Sequence, residues 1–208
     1  SASNAGLLAE GPLGRRGAWL AAARKSYLQY IIRRTASASD PSFAFGILDG
    51  QTKLAYDVTG RHHVSLCLSD GYSDLDRTSS AGALGINSLM TSGYHLSLAN
   101  LGWRYTPGER LLVSSRAAYM RERFTNQNRE WLDLEAGHYG EWVWQSQFTW
   151  VQTPHSTMEG GLAVRAIRDS GFENRYQFNP AAVQRLEDYG GRGRRSGGYV
   201  SQAWSTPG

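Results

Sequence analysis

The sequence has almost no cysteine and no long apolar segment. Cys67 is the only cysteine, so an intrachain disulfide is excluded, and its apolar neighbours predict an inert residue in a strand. No run of about 18 apolar residues occurs, which excludes a transmembrane helix. The first residues lack the basic-then-apolar layout of a signal peptide. The net charge of +4 is spread along the chain and gives no indication of nucleic-acid binding.

The motifs of common enzyme and metal sites are also missing. There is no Gly-x-Ser-x-Gly motif, and His95 with Ser97 alone is too little context to predict a hydrolase. His62 and His63 are adjacent, so on a strand their rings would point to opposite faces, and we interpret them as turn residues. The remaining histidines have no metal-ligand spacing. We therefore predict that the chain is not an enzyme and has no metal site or cofactor, and its ligand-binding residues stay unassigned.

Aromatic residues and glycines are abundant instead. The chain is 12% aromatic and has 24 glycines, a combination that favours strands and turns. Over residues 142–150 aromatic side chains recur with a period of two, and mainly polar residues fill the alternate positions. Residues 153–156 break the pattern as a turn does, and residues 162–166 continue the apolar face. This segment is predicted to be a β-hairpin with one aromatic face.

A short motif at the end of this strand recurs elsewhere in the chain. An aromatic residue precedes a Thr-Pro pair in residues 103–108, 150–155 and 204–208, which are roughly fifty residues apart. Such a recurrence indicates one repeated unit, a hairpin followed by a long loop.

Similar patterns predict about nine strands over the chain. We place strands or hairpins at residues 2–10, 18–27, 47–58, 64–68, 94–105, 111–123, 139–169 and 199–205. Turns fall at residues 11–17 and 59–61, a short helical piece at 27–34, and polar loops at 35–42, 70–92, 124–138 and 170–196. The apolar residues change from even to odd positions between Leu98 and Leu101, which predicts a β-bulge there.

The predicted connections alternate strictly between short turns and long loops. Transmembrane β-barrels sort their connections in this way, and they carry aromatic residues at the membrane interfaces. Near the short turns lie Tyr56, Trp103, Tyr105, Trp150 and Trp204. In lipid all backbone polar groups must be paired within the protein, and a chain without an apolar helix achieves this only as a closed barrel.

The strand parity assigns residues to the two barrel faces. The residues predicted to face lipid are Leu48, Leu54, Val64, Leu66, Leu111, Val113, Trp144, Phe148, Leu162 and Val164. The charged residues predicted to face the lumen are Asp49, Lys53, Asp57, Arg110, Arg116, Glu159 and Arg165. We predict an all-β fold, an antiparallel transmembrane barrel segment that forms a curved, unclosed sheet.

Two other protein classes fit parts of the pattern. An aromatic strand face also suits a soluble β-sandwich carbohydrate-binding module, and a passive porin-like or structural outer-membrane barrel shares every feature above. Residues 190–198 contain Arg192-Gly-Arg-Arg195, which could bind phosphate, lipopolysaccharide or nucleic acid but more often belongs to a solvated loop.

Part of the chain resembles a known family. Residues 10–28, EGPLGRRGAWLAAARKSYL, resemble an early barrel hairpin of TonB-dependent outer-membrane receptors, and LDGQTKLAYD at 48–57 and GRHHVSL at 60–66 continue the resemblance. The resemblance implies a cell outer-membrane location and energised uptake of a scarce ligand. Such receptors have a barrel of about 22 strands. Residues 1–208 would then be a partial barrel domain.

The resemblance also implies the partners. They are outer-membrane lipid, a plug domain of the same parent chain, a TonB-type energy-coupling protein bound through an N-terminal segment that this sequence does not contain, and an unidentified transported ligand. No nucleic acid is expected among them.

Overall fold

The computed structural model describes residues 4–27, 44–78, 82, 85–178 and 181–205, which form one antiparallel sheet. Its nine strands are β1 (Asn4–Leu13), β2 (Gly17–Ser26), β3 (Ala44–Thr59), β4 (His62–Asp76), β5 (Thr91–Gly108), β6 (Leu111–Gln127), β7 (Asp133–Thr153), β8 (Ser156–Phe178) and β9 (Ala181–Trp204). The spatial order is the sequence order and β1 does not pair with β9, so the sheet is unclosed. This confirms the predicted fold class. The described residues include no helix long and apolar enough to cross a membrane.

Three predicted elements lie wholly or mainly outside the described residues. They are the helical piece at 27–34, of which only Tyr27 is described, the loop at 35–42, and the last Thr-Pro turn at 206–208.

The sheet is a single layer without a hydrophobic core. Among the described residues, the buried apolar side chains are Ala44 and Met90 alone. Large apolar side chains are exposed instead, and Trp142 and Leu162 each keep 60% of their surface accessible. A β-sandwich would bury such residues between two sheets. The described residues therefore do not form the sandwich that a soluble carbohydrate-binding module requires.

The register separates an apolar face from a polar face. Leu54, Leu66, Leu101, Ala117, Trp144 and Val164 form one continuous row of direct partners from β3 to β8. Directly paired residues share a face, so all ten residues predicted to face lipid lie on one side, the apolar face. The charged residues predicted for the lumen lie on the opposite, polar face, with one exception. Arg110 is in the β5–β6 turn, where its carbonyl accepts a 2.8 Å hydrogen bond from the Val151 amide.

The short turns all lie at one end of the sheet, as predicted. They comprise residues 14–16, 60–61, 109–110 and 154–155. The turn predicted at 11–17 is too wide, because β1 continues to Leu13 and only Gly14, at a φ of 64°, adopts the left-handed conformation. The five aromatic residues predicted near the short turns lie on the apolar face at this end.

The predicted loops at the other end are too long. β4 continues to Asp76, and the connections shrink to residues 77–90, 128–132 and 179–180. β8 and β9 have 23 and 24 residues and pair along almost their whole length, so most of 170–196, including 190–198, is strand. The prediction failed because glycine, serine and arginine were interpreted as loop formers, whereas the ladder is made by the backbone.

Glycines in these strands make room for aromatic rings on the neighbouring strand. Gly171 is the direct partner of Tyr189, and a Cβ on Gly171 would lie 2.5 Å from the Tyr189 hydroxyl and 2.8 Å from the Ala136 carbonyl. Phe148 lies over Gly160 in the same way, since a Cβ there would be 2.5 Å from the ring. Strand glycines often mark such a close approach.

The β-bulge predicted between Leu98 and Leu101 is absent. Pairing of β5 with β4 and β6 is unbroken from Thr91 to Tyr105, and the register shifts only at the β5–β6 turn. The parity slips because Leu98 pairs with Met120 on the polar face, while Leu101 lies on the apolar face. Both faces of β5 carry leucine, so the apolar pattern alone was misleading.

The β6–β7 connection is organised by one buried side chain. Asn128 is fully buried, and its Oδ1 accepts hydrogen bonds of 2.9 Å from the amides of Glu130 and Leu132. Asn87, from the longer connection, also lies at this end, where its side chain exchanges two hydrogen bonds with the Tyr176 backbone. The polar loop predicted at 124–138 is thus a five-residue turn, residues 128–132, between extended strands.

We predict that Gly171→Val destabilises the fold, by about 1–3 kcal/mol. The added side chain would collide with the Tyr189 ring and the Ala136 carbonyl, which cannot both move away cheaply. The measurement is the free energy of urea-induced unfolding of the protein in detergent micelles, followed by tryptophan fluorescence. Gly193→Val is the matched control on the same face of the next strand, because a Cβ there meets nothing within 4 Å. Equal losses in both variants would contradict the explanation.

Candidate ligand-facing surface

The polar face carries a shallow groove close to the short-turn end. It is formed by β4 to β7 and has a volume of about 320 Å³. The polar side chains of this face that line it are His63, Ser65, Cys67, Asn100, Arg104, Ser114, Arg116, Gln145 and Gln147. We call it the arginine groove. Guanidinium, amide and hydroxyl groups together suit a polar or anionic ligand.

Small residues keep the arginine groove open. Gly102 lies between Ser65 and Arg116 in one cross-strand row, and a Cβ on Gly102 would be 2.6 Å from the Ser65 hydroxyl. Within the described residues, neither Arg104 nor Arg116 forms an ion pair. Both guanidinium groups are therefore available to an anion.

The two adjacent histidines point to opposite faces, as the strand geometry required. His63 lies on the polar face, with its Nδ1 2.7 Å from the Asp57 carboxylate. His62 lies on the apolar face, stacks on Tyr105 at 4.4 Å, and accepts a 3.2 Å hydrogen bond from the Trp103 indole. Their interpretation as turn residues was wrong, since they begin β4.

A second polar cluster lies further along the same face. The Arg165 guanidinium contacts Glu141 with both Nε and Nη2, at 2.5 and 2.8 Å, and Tyr139 donates a short hydrogen bond to the same carboxylate. The Glu141 side chain is only 10% exposed. The sequence prediction assigned Arg165 to this face but missed Glu141. The two-residue turn at 154–155 and the register shift between Val151 and Thr153 together place Arg165 diagonally opposite Glu141, and the turn alone would not have predicted this pair.

The described residues contain a serine, histidine and aspartate together, but not as a catalytic triad. Asp70 Oδ2 accepts a 2.6 Å hydrogen bond from the Ser97 hydroxyl, and Asp70 Oδ1 lies 2.9 Å from His95 Nε2. Both groups thus bind the carboxylate, whereas a nucleophilic serine needs a histidine as its base. Within the described residues no group of histidine, cysteine and acidic side chains is arranged to hold a metal. Cys67 is half-buried and free.

No protein-family model matches the sequence, and no curated protein matches it at a significant level. Solved structures do match the fold. The outer membrane transporter YddB from Escherichia coli is 11% identical with a TM-score of 0.58, and the match covers 97% of this chain and 32% of that one. The ferric-catecholate import receptor Fiu from E. coli K12 is 10% identical with a TM-score of 0.54, covering 96% and 43%.

These matches concern the fold. The chain spans less than half the length of either protein, and nearly all of it aligns with a part of each. The predicted resemblance to the barrel of outer-membrane receptors is thus confirmed at the level of the fold.

We predict that Arg165→Met destabilises the sheet more than Arg116→Met does. Removing Arg165 leaves the largely buried Glu141 carboxylate without its cation, whereas Arg116 has no carboxylate partner among the described residues. Urea-unfolding free energies of both variants and of Glu141→Gln/Arg165→Met test this. The double variant should recover part of the loss, and purely additive effects would show that the pair is not coupled.

Proposed function

We propose that this chain forms part of the wall of an outer-membrane barrel that takes up a scarce ligand, as TonB-dependent receptors do. The observation that carries the proposal is the one-layer sheet with an exposed apolar face and a polar reverse face. In water such an apolar surface would drive aggregation, whereas in a bilayer it faces lipid. The likeness to YddB and Fiu, described as a transporter and an import receptor, supports the same reading.

The open sheet edges support a larger barrel. β1 and β9 each have one unpaired edge, and an unpaired backbone edge is not tolerated in the hydrocarbon layer. Further strands of the same protein would close the barrel, so that residues 1–208 form a partial barrel domain. Nine strands are far fewer than the roughly 22 of receptors of this type.

The polar face would line the lumen. There the arginine groove and the Glu141–Arg165 pair offer hydrogen-bonding groups to a plug domain or to a passing ligand. Energy would come from a TonB-type coupling protein acting through the plug. In this role the chain binds and guides a ligand and carries out no chemical reaction.

Membrane insertion is tested by charge placed on the two faces. Phe148→Arg should impair stable insertion, because an arginine on the lipid face is costly, by up to about 2–4 kcal/mol at the bilayer midplane. Gln147→Arg lies on the polar face and should insert normally. The measurement is the fraction of protein that resists extraction from vesicles by urea. Equal tolerance of the two variants would contradict the assignment of faces.

Energised uptake is tested in cells that carry the complete natural gene product. We expect them to accumulate at least one of a panel of radiolabelled ferric chelates, and a protonophore should abolish the accumulation. Accumulation that survives the protonophore would favour a passive porin-like barrel. If no chelate accumulates, the uptake of ferric chelates is ruled out.

A further inference from the structure

Arginines form a belt on the apolar face, on the side away from the short turns. Its members are Arg121 and Arg123 on β6, Arg168 on β8, and Arg192 and Arg194 on β9. We call this set the basic belt. Arg121, Gly140, Arg168 and Arg192 are successive direct partners across four adjacent strands, and all five arginines are exposed. The belt is therefore assembled across strands and is not one charged run of sequence.

The basic belt directly borders aromatic residues. The next row toward the short turns contains Tyr119, Trp142, Ala166 and Arg194, and the first two rings are 4.5 Å apart. The row after that contains Trp144 and Val164. Along this face, apolar side chains thus give way to aromatic ones and then to arginines. Membrane proteins show the same order of residue types from the hydrocarbon layer to the lipid headgroups.

The charges of the belt are not neutralised within the described residues. No carboxylate there lies within ion-pair distance of any of the five arginines. On the same face, Asp70 is two strands from Arg121 and is already bonded to His95 and Ser97, and Asp188 lies further along β9. The contrast with Arg165, which is paired with Glu141 on the polar face, is clear.

The belt surrounds an open depression. Its volume is about 830 Å³, and Arg121, Arg168, Arg192 and Arg194 line it together with Tyr119 and Trp142. Gly140 lies in the row between Arg121 and Arg168 and has no side chain to fill the space. Strands are about 4.8 Å apart, so these two backbones are roughly 10 Å apart, and both guanidinium groups can reach one anion between them.

We propose that the basic belt binds the phosphate of an anionic lipid headgroup at the membrane surface. Free guanidinium groups prefer phosphate, with which they form paired, charge-assisted hydrogen bonds. A lipid is the source of the phosphate because the belt is continuous with the aromatic and apolar rows, which offer a surface for the acyl chains. This inference rests on the proposed membrane location. The lipid would fix the height of the strands in the bilayer at this side of the barrel.

The test measures lipid binding to the complete natural gene product in detergent, by native mass spectrometry. The probes are dioleoyl phosphatidic acid and dioleoylglycerol, which differ only in the phosphate. We expect wild type to bind the phosphorylated lipid and not the other. The triple variant Arg121→Gln/Arg168→Gln/Arg194→Gln should bind the phosphorylated lipid at least about tenfold more weakly. The loss of a single charge-assisted hydrogen bond can already lower an affinity by about that factor.

The matched control is Arg195→Gln. Arg195 is next to Arg194 in sequence but pairs with Arg165 on the polar face, so its loss should leave lipid affinity unchanged. Equal weakening by Arg195→Gln, or unchanged binding by the triple variant, would overturn the proposal. Full competition by millimolar inorganic phosphate would also overturn it, because a free anion would then suffice.

Vesicle incorporation separates this inference from the proposed function. If wild type enters phosphatidylcholine vesicles but shows no preference for phosphatidic acid, only the proposed lipid binding by the basic belt is overturned. Failure to enter the vesicles would overturn both the membrane location and the inference that rests on it.

Discussion

The register of the backbone ladder is the constraint on which the rest of the structure depends. Among the described residues there is almost no buried apolar core, so the sheet is held mainly by cross-strand pairing, and each strand's two faces are fixed by which residues lie opposite. A slip of one residue would exchange the apolar and polar faces. The turn at residues 154–155 and the register shift between Val151 and Thr153 together place Val164 opposite Trp144 and bring Arg165 to Glu141. This short segment therefore affects the chemistry of both faces of the β7–β8 hairpin.

Glycines in the strands are paired in the ladder like other residues, and they do not interrupt it. In a single layer, a large ring finds contact only with its own sheet, and a glycine directly opposite allows it to lie flat against the backbone. Tyr189 over Gly171 and Phe148 over Gly160 are such pairs, one on each face. At these positions glycine therefore has a packing role within the single layer.

The sequence predicted the parts of the fold that repeat with a period of two. The apolar rows, the common end of the short turns and the strand character of most of the described residues were all accessible, because each follows from local alternation. The lengths of β8 and β9 could not be predicted in this way. Their outer halves show no apolar–polar alternation and are stabilised by pairing with each other. The Glu141–Arg165 pair was missed because it depends on the diagonal geometry of a hairpin, which single-strand parity does not contain.

The arginines show why charge must be mapped across strands. In residues 192–195 three arginines form one basic run in the sequence, which is typical of a solvated loop. On β9 that run divides, with Arg192 and Arg194 on the apolar face and Arg195 on the polar face. The basic belt draws its other members from β6 and β8, far away in sequence. A binding surface on such a sheet is therefore a row across the ladder, and a motif along one strand contributes only alternate residues to it.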